Sequence, residues 1–134
     1  MNKFKGTIKD ISENSALNFI TVDVNSTDIF ALTLELNENF KTGAEVNLFF
    51  KETEIILSKT SESIIGSENI IHSEIMTVEK GEIFSEILCG SSAGNFKAIS
   101  TNVSVDKNLL PGTKVYALIK ASAITLGLQT RNEP

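Results

Sequence analysis

The sequence has little of what most catalytic and metal sites need. It contains one cysteine, Cys89, and one histidine, His72, among its 134 residues. One cysteine cannot form a disulfide within the chain, and a single histidine with a single cysteine is not a metal-ligand set. No Ser/His/Asp combination, glycine-rich phosphate loop or carboxylate pair at a recognisable spacing can be picked out. We therefore predict that the protein is not an enzyme and that no metal ion is held directly by side chains.

Basic residues and long apolar stretches are also scarce. The chain has 12 lysines and arginines against 17 aspartates and glutamates, which gives a net charge of −5. This balance disfavours binding to nucleic acid or to an anionic membrane, so any bound anion must be held by a few local groups. No apolar stretch approaches the roughly 20 residues of a membrane-spanning helix, and the first residues lack the apolar segment of a secretory signal. The expected location is cytoplasmic.

What the sequence does contain is a series of short alternating apolar segments, typical of an all-β protein. Apolar residues make up 41% of the chain, which is enough for a hydrophobic core. In the first half, this alternation predicts a helical turn at residues 35–40 and five short strands, near residues 4–11, 18–24, 29–34, 45–51 and 54–57. Five strands of this length suit a small barrel that removes its edges by closing on itself.

The second half of the sequence repeats the first. Four segments recur in order: residues 2–8 as 69–75, 30–33 as 97–100, 42–46 as 111–115 and 51–55 as 120–124. The fold class predicted from this repeat is all-β, with two tandem five-stranded barrels that each carry a short helical turn. The predicted parts are a first domain at 1–60, a linker at 61–66, a second domain at 67–130 and a tail at 131–134. Each unit is too small to bury a large core alone, so we expect the two to pack together.

Lys120 is a lone cation in an apolar, strand-like segment near the end of the second unit. Ser122 follows it at a bend made of small residues, so an ammonium group and a hydroxyl lie close together. Thr101 and Ser104 follow the third strand of the same unit, where the free N–H groups of a helical turn would add donors. Together these groups have the chemistry to hold a small tetrahedral dianion. The alternative is that Lys120 is a solvated strand lysine and that the two hydroxyls cap a helix.

Residues 97–104 and 109–122 resemble the molybdenum-binding Mop domain, a branch of the transport-associated OB-type (TOBE) domains. The Ala-Leu-Ile-Lys-Ala-Ser run at 117–122 is the most specific part of the likeness. Two tandem copies resemble the di-Mop molbindins and the molybdate-sensing half of ModE regulators. The resemblance implies OB-like barrels that bind molybdate or tungstate where Mop domains meet. It also implies a homo-oligomer, as a dimer, a trimer or a higher assembly.

The oxyanion ligands of that family can be carried over to this sequence position by position. The family's Thr-x-x-Ser pair falls on Thr101 and Ser104. Its Lys-Ala-Ser ligands fall on Lys120, the backbone of Ala121, and Ser122. The resemblance therefore implies that these five residues bind the oxyanion.

A further family motif, Ser-Ala-Arg-Asn, falls on residues 66–69 of this sequence. Ser67 supplies a hydroxyl there and is the sixth expected oxyanion ligand. Glu68 stands where the family has arginine, and this substitution places an acid near the expected dianion.

The first copy keeps less of the family pattern. It has Lys51 and a hydroxyl at Thr53, which we expect to be weaker oxyanion ligands. It has Leu34 and Asn37 where the family's threonine and serine would stand. The site of the first copy is therefore expected to be degraded, so that this copy acts mainly as a packing partner.

The function predicted on these grounds is reversible binding of molybdate or tungstate, for molybdenum storage and homeostasis. A sensor would add a DNA-reading domain and a transporter ATPase a Walker A motif, and neither is found in this sequence. The alternative is a protein-interaction or regulatory TOBE module that has lost anion binding, for which Glu68 and the eroded first copy are the motivation. Nucleic-acid binding through the OB-like face is disfavoured by the acidic charge.

Overall fold

Ten strands form two antiparallel five-stranded sheets in the computed structural model, which describes residues 1–34, 36–105 and 109–129. The first half of the chain contributes β1 (Asn2–Asn14), β2 (Leu17–Val24), β3 (Thr27–Thr33), β4 (Glu45–Phe50) and β5 (Ile56–Ser58). The second half contributes β6 (Asn69–Lys80), β7 (Phe84–Ser91), β8 (Phe96–Thr101), β9 (Lys114–Ile119) and β10 (Thr125–Leu128). Two short 3₁₀ helices, η1 (Glu52–Glu54) and η2 (Ala121–Ala123), follow β4 and β9. The predicted tail at 131–134 lies outside the described residues.

Alternating burial explains why the predicted strands form. In β9, Val115, Ala117 and Ile119 are buried, and the residues between them are half-buried. Strands β2 and β7 show the same alternation. Each sheet therefore turns one face towards the interior, as a period-2 pattern requires. The predicted all-β fold of two OB-like five-stranded units is confirmed.

The fifth strand of each sheet comes from the other half of the chain. The strand orders are β10-β4-β1-β2-β3 in the first sheet and β5-β9-β6-β7-β8 in the second. Ile56 of β5 therefore pairs with Leu118 of β9, and Leu126 of β10 pairs with Leu48 of β4. The prediction that residues 54–57 close the first barrel is wrong, because the chain crosses after η1 to the open edge of the second sheet. The sequence limits predicted for the two domains stay a prediction. Strands β5 and β10 lie within those limits, but each pairs with the sheet of the other half.

The helical turn predicted at residues 35–40 is also wrong. Glu35 lies outside the described residues, and the segment that follows it forms a turn without helix. Here the Asn37 side-chain Oδ1 accepts a hydrogen bond from the Asn39 N–H, and the Asn37 carbonyl accepts one from the Phe40 N–H, both at 2.8 Å. Asparagine side chains that bond to the nearby backbone compete with helix formation. Each half of the chain does have one short helical turn, but it is η1 or η2, directly after the fourth strand.

One hydrophobic core runs through both halves of the chain. Three phenylalanines mark its centre: Phe4 and Phe50 from the first sheet and Phe96 from the second. The Phe4 and Phe50 rings meet edge to face with centroids 4.9 Å apart, and Phe96 lies 6.3 Å from Phe4 and 6.4 Å from Phe50. Because these rings fill one space between the sheets, neither sheet buries its inner face alone.

Two asparagines at equivalent positions of the repeat tie the halves together. The Asn69 side chain accepts a hydrogen bond from the Phe30 N–H at 2.8 Å and donates one to the Phe30 carbonyl at 2.9 Å. In the same way, the Asn2 side chain accepts from the Lys97 N–H at 2.9 Å and donates to the Lys97 carbonyl at 2.8 Å. Each first strand therefore binds the third strand of the other half, which gives the chain an internal two-fold arrangement.

Candidate functional site

Four of the eight predicted site residues line one pocket of about 700 Å³: Lys120, Ser122, Ser67 and Thr53. The pocket lies beside η2, where β9 ends, and its far wall is the segment before β6. Thr53 reaches it from η1, because the exchanged strand β5 places the end of the first half against the second sheet. The strand exchange therefore brings a hydroxyl of the first copy to the site of the second. We call this space the Lys120 pocket.

Lys120 itself occupies the position between β9 and η2 with extended backbone angles (φ −66°, ψ 143°). Its side chain is exposed to solvent in the single chain, and its Nζ would lie 3.9 Å from a Cβ atom added to Gly66. Within the described residues, the ammonium group forms no hydrogen bond and no ion pair. An unpaired cation is thus held at the mouth of a pocket in a protein of net negative charge.

The predicted backbone donor of Ala121 is already occupied. The Ala121 N–H donates a hydrogen bond to Oε1 of Glu68 at 2.7 Å. Later amides of η2 point back into the turn, since the Ala123 N–H donates to the Lys120 carbonyl and the Ile124 N–H to the Ala121 carbonyl. The first amide of η2 is therefore not used within the turn, and the carboxylate of Glu68 accepts its hydrogen bond.

The hydroxyls of the Lys120 pocket differ in their present use. Ser67 Oγ donates a hydrogen bond to the Asn69 carbonyl at 2.8 Å, and its side chain is half-buried. Ser122 and Thr53 are exposed and form no side-chain hydrogen bond among the described residues. The hydroxyls of Ser122 and Thr53 are therefore available to a ligand without rearrangement. The Ser67 hydroxyl would first have to break its hydrogen bond to the Asn69 carbonyl.

Thr101 and Ser104 lie away from the Lys120 pocket. They form a turn at the end of β8, in which Ser104 Oγ donates to the Thr101 carbonyl at 2.9 Å and the Ser104 N–H donates to the same carbonyl at 3.0 Å. Ser104 instead lines a second pocket of about 380 Å³, together with Ser100 and Lys59. Both predicted ligands are exposed to solvent. The Ser104 hydroxyl thus donates to a carbonyl of its own turn, and within one chain the two sets of predicted ligands do not line the same pocket.

The equivalent position in the first copy carries a carboxylate of its own. Lys51 precedes η1 as Lys120 precedes η2, and Glu52 stands where the second copy has Ala121. The Glu52 carboxylate forms an ion pair with the Met1 amino group at 3.0 Å. The pKa of Glu52 is lowered first by the hydrogen bond from this ammonium and then by one from the residue's own backbone N–H. In both copies a carboxylate thus lies at the start of the helical turn, and in the second copy it accepts the hydrogen bond of the first amide.

Apolar side chains around the Lys120 pocket were missed as part of the site in the sequence analysis. Ile65 is 96% exposed and Ile56 is 65% exposed, and both line the pocket with Leu118. Val103, between the two hydroxyls of the Thr101–Ser104 turn, is 99% exposed. The signal in the sequence was the pair of isoleucines at 64–65 within an otherwise polar linker. Apolar side chains exposed to this degree beside polar groups are typical of surfaces that meet a partner.

The described part of the chain offers little other chemistry. These residues contain no group of three or more His, Cys, Asp and Glu side chains that could hold a metal ion. No helix among them is long and apolar enough to cross a membrane.

The fold and the pocket can be compared with known proteins. No family model and no curated protein matches the chain. Among solved structures, the chain is similar to ModG, a cytoplasmic molybdate-binding protein, in a crystal form with molybdate bound. The TM-score is 0.88 at 25% sequence identity, and the match covers 96% of each chain. The resemblance to tandem Mop proteins is confirmed by this likeness, because nearly the whole of both chains superimposes.

Proposed function

We propose that the protein is a cytoplasmic molybdate-binding protein that takes up the anion reversibly and acts as a store or buffer without catalysis. The observation that carries this proposal is the ammonium group of Lys120, which has no partner among the described residues, at a pocket that also holds the Ser67, Ser122 and Thr53 hydroxyls. The likeness to molybdate-bound ModG supports the choice of anion.

The chemistry of the pocket fits a tetrahedral dianion. Such an anion loses much of its hydration when it is enclosed, so charge-assisted hydrogen bonds must replace the lost water. Lys120 supplies a cation, the serines and the threonine supply O–H donors, and the Ala121 N–H supplies a backbone donor once Glu68 releases it. Tungstate has the same charge and shape as molybdate, so we propose that the pocket accepts both.

We further propose that the binding site is completed by a second copy of the chain, in a homo-oligomer. Thr101 and Ser104 are exposed and lie outside the Lys120 pocket of their own chain, so their contribution would come from a neighbouring protomer. The exposed Val103 beside them and the exposed Ile56 and Ile65 at the Lys120 pocket supply apolar surface for that contact. The expected assembly is a dimer, a trimer or a higher oligomer.

Titration calorimetry tests the proposed ligand directly. Wild-type protein is titrated with molybdate, tungstate, sulfate and a short oligonucleotide in separate experiments. We expect heat of binding with molybdate and tungstate and none with the oligonucleotide, because the protein is acidic. Absence of molybdate and tungstate binding at millimolar anion would remove the proposal.

Mixed oligomers test whether the site is shared between chains. Lys120→Ala and Ser104→Ala variants are each expected to bind molybdate weakly. When the two are refolded together, some interfaces contain an intact Lys120 facing an intact Ser104, so part of the binding capacity should return. If the mixture binds no better than the two variants apart, the site lies within one chain. Light scattering with and without molybdate measures the oligomeric state in the same samples.

A second function is favoured by one specific observation. A carboxylate holds the first amide of η2, and exposed apolar side chains line the Lys120 pocket, which is the arrangement expected of an interaction module without an anion. The calorimetric experiment distinguishes the two functions, since such a module would form the oligomer and bind no oxyanion.

A further inference from the structure

We propose that Glu68 is a built-in competitor of the oxyanion: its carboxylate holds the Ala121 N–H in the empty site and must leave when the anion binds. This inference rests on the proposed function and adds a regulating residue to it. The consequence is weaker binding and easier release, as a reversible store requires.

The contact that carries the inference is the 2.7 Å hydrogen bond from the Ala121 N–H to Glu68 Oε1. A carboxylate oxygen and an oxyanion oxygen have the same requirements, a negative charge and an acceptor lone pair. One N–H cannot give a short, well-aligned hydrogen bond to both. An oxyanion that uses this amide must therefore displace Glu68.

The surroundings allow the side chain of Glu68 to leave without moving the backbone. Its neighbour Asn69 is 2% exposed and is fixed by its two hydrogen bonds to the Phe30 backbone. Ser67 is tied to the same point, through its hydroxyl and the Asn69 carbonyl. Glu68 itself is exposed to solvent. The loop is thus held in place while the carboxylate on it is free to rotate into water.

The competitor leaves the cation of the site available. No ion pair joins the Glu68 carboxylate to the Lys120 ammonium among the described residues. Glu68 therefore occupies one donor of the site and does not neutralise its positive charge. Glu68 therefore lowers the affinity for an oxyanion without abolishing it, because the anion has to displace only one hydrogen bond.

The matched control for this inference is Glu54, an exposed glutamate that lines the Lys120 pocket, whereas Glu68 follows the lining residue Ser67. The Glu68→Ala and Glu54→Ala variants each remove one exposed negative charge in or beside the pocket, but only the first removes the acceptor of the Ala121 N–H. We expect molybdate affinity to rise roughly tenfold or more in Glu68→Ala, the size of one charge-assisted hydrogen bond, and by about twofold or less in Glu54→Ala. Glu68→Gln, which keeps a neutral acceptor, should fall between Glu68→Ala and the wild type.

Measurements at high salt distinguish competition for the Ala121 N–H from electrostatic repulsion between Glu68 and the anion. Repulsion through solvent is screened within about 3 Å at 1 M salt, whereas a direct contact is not. The gain in Glu68→Ala relative to wild type should therefore persist in 1 M sodium chloride. If the gain disappears at high salt, Glu68 acts only by its charge and the inference is overturned.

The amide of Ala121 gives a readout that needs no anion. In ¹H–¹⁵N spectra of the anion-free protein, its resonance should move in Glu68→Ala and stay in place in Glu54→Ala. Equal molybdate affinity in wild type and Glu68→Ala would overturn the inference and leave the proposed function standing. If wild type and both variants all fail to bind molybdate, the proposed function is overturned, and so is the inference, because it rests on that function. Binding by Glu68→Ala alone would support Glu68 as a competitor of the anion and would overturn the proposed function, because the wild type would then bind no molybdate.

Discussion

The two copies of the repeat share a framework and differ at the end where an anion would bind. Asn2 and Asn69 make the same pair of hydrogen bonds to the opposite copy, and η1 and η2 follow the same strand in each. The second copy, however, has Thr101 and Ser104 where the first has Leu34 and Asn37. The two copies thus share the structural framework, but only the second has the full set of candidate oxyanion ligands.

Burial explains why the candidate site can change more freely than the framework that joins the two copies. The residues that join the copies pack in a common core, where a substitution removes contacts from both sheets. The candidate ligands are exposed, and Leu34 is 71% exposed without loss of the fold. Residues outside the core can therefore change with little effect on stability, and the function of one copy can decay while the structure of both is kept.

The largest expected effect concerns the shared framework. Phe96→Ala removes a buried ring that contacts phenylalanines of the other sheet, and should lower the free energy of unfolding by about 3–5 kcal/mol. Both halves should unfold in one transition in urea, followed by circular dichroism. Phe84→Ala, at a side chain that is 54% exposed, is the control and should change stability far less. Two separate transitions would show that the copies are independent.

The next effect concerns the difference between the copies. Lys120→Ala should weaken molybdate binding by about 2–4 kcal/mol, the range for removing one partner of a charge pair. Lys51→Ala should weaken it by less than about 1 kcal/mol, because the Glu52 carboxylate lies next to this lysine and Leu34 stands where a hydroxyl is expected. Calorimetry on both variants measures the contrast. Since both lysines are exposed, neither substitution should change folding stability much, and equal losses of affinity would contradict the assignment.

A smaller contrast is expected at the two asparagines. Asn69→Ala leaves the half-buried N–H and carbonyl of Phe30 without the partners that a buried side chain supplies, which should cost about 2–3 kcal/mol of stability. Asn2→Ala breaks the equivalent bonds to Lys97 where water has better access, and should cost about 1 kcal/mol. Urea denaturation of the two variants compares them. A larger loss of stability in Asn2→Ala than in Asn69→Ala would mean that burial does not decide which pair of hydrogen bonds contributes more.

The smallest effect is expected at Cys89, whose equivalent in the first copy is the buried Val22. Cys89→Val should change stability by less than about 1.5 kcal/mol, because the volumes are similar. Burial raises the pKa of the Cys89 thiol to about 11, so the native thiol stays protonated and should not react with Ellman's reagent at neutral pH.

The same thiol gives a pH dependence with a defined sign. Its pKa in the folded protein is above that of an unfolded cysteine, about 8.5, so loss of the proton favours unfolding. Its contribution to stability is present below about pH 8.5 and is lost as the pH rises towards 11. Wild type should therefore lose stability relative to Cys89→Val over that range, as measured by urea denaturation at each pH. A constant difference would contradict the raised pKa.

Much of the fold was predictable from the sequence because alternation and repetition are local patterns. The alternation in residues 114–119 identifies β9, and the repeat of residues 2–8 at 69–75 identifies two copies of one unit. The exchange of β5 and β10 was not predictable in the same way. A strand of three or four residues fits the open edge of either sheet equally well by its apolar pattern, and the choice depends on where η1 and η2 direct the chain.

The candidate site was predictable in its residue types and less so in its arrangement. Lys120 and Ser122 are close in sequence, so a bend at the end of a strand necessarily places them together. The hydrogen bond between Glu68 and Ala121 joins residues far apart in the chain, and only the paired strands β6 and β9 bring them into contact. The use of Ser104 within its own turn likewise depends on local geometry that composition does not specify.

The central claim is that the second copy holds the oxyanion and the first does not. Anomalous diffraction at the molybdenum absorption edge, from crystals grown with molybdate, tests this claim without any substitution. We expect a peak within hydrogen-bonding distance of Lys120 Nζ, with Glu68 turned away from the Ala121 N–H, and no peak beside Lys51. A peak beside Lys51 with none at Lys120, or no peak at millimolar molybdate, would contradict it.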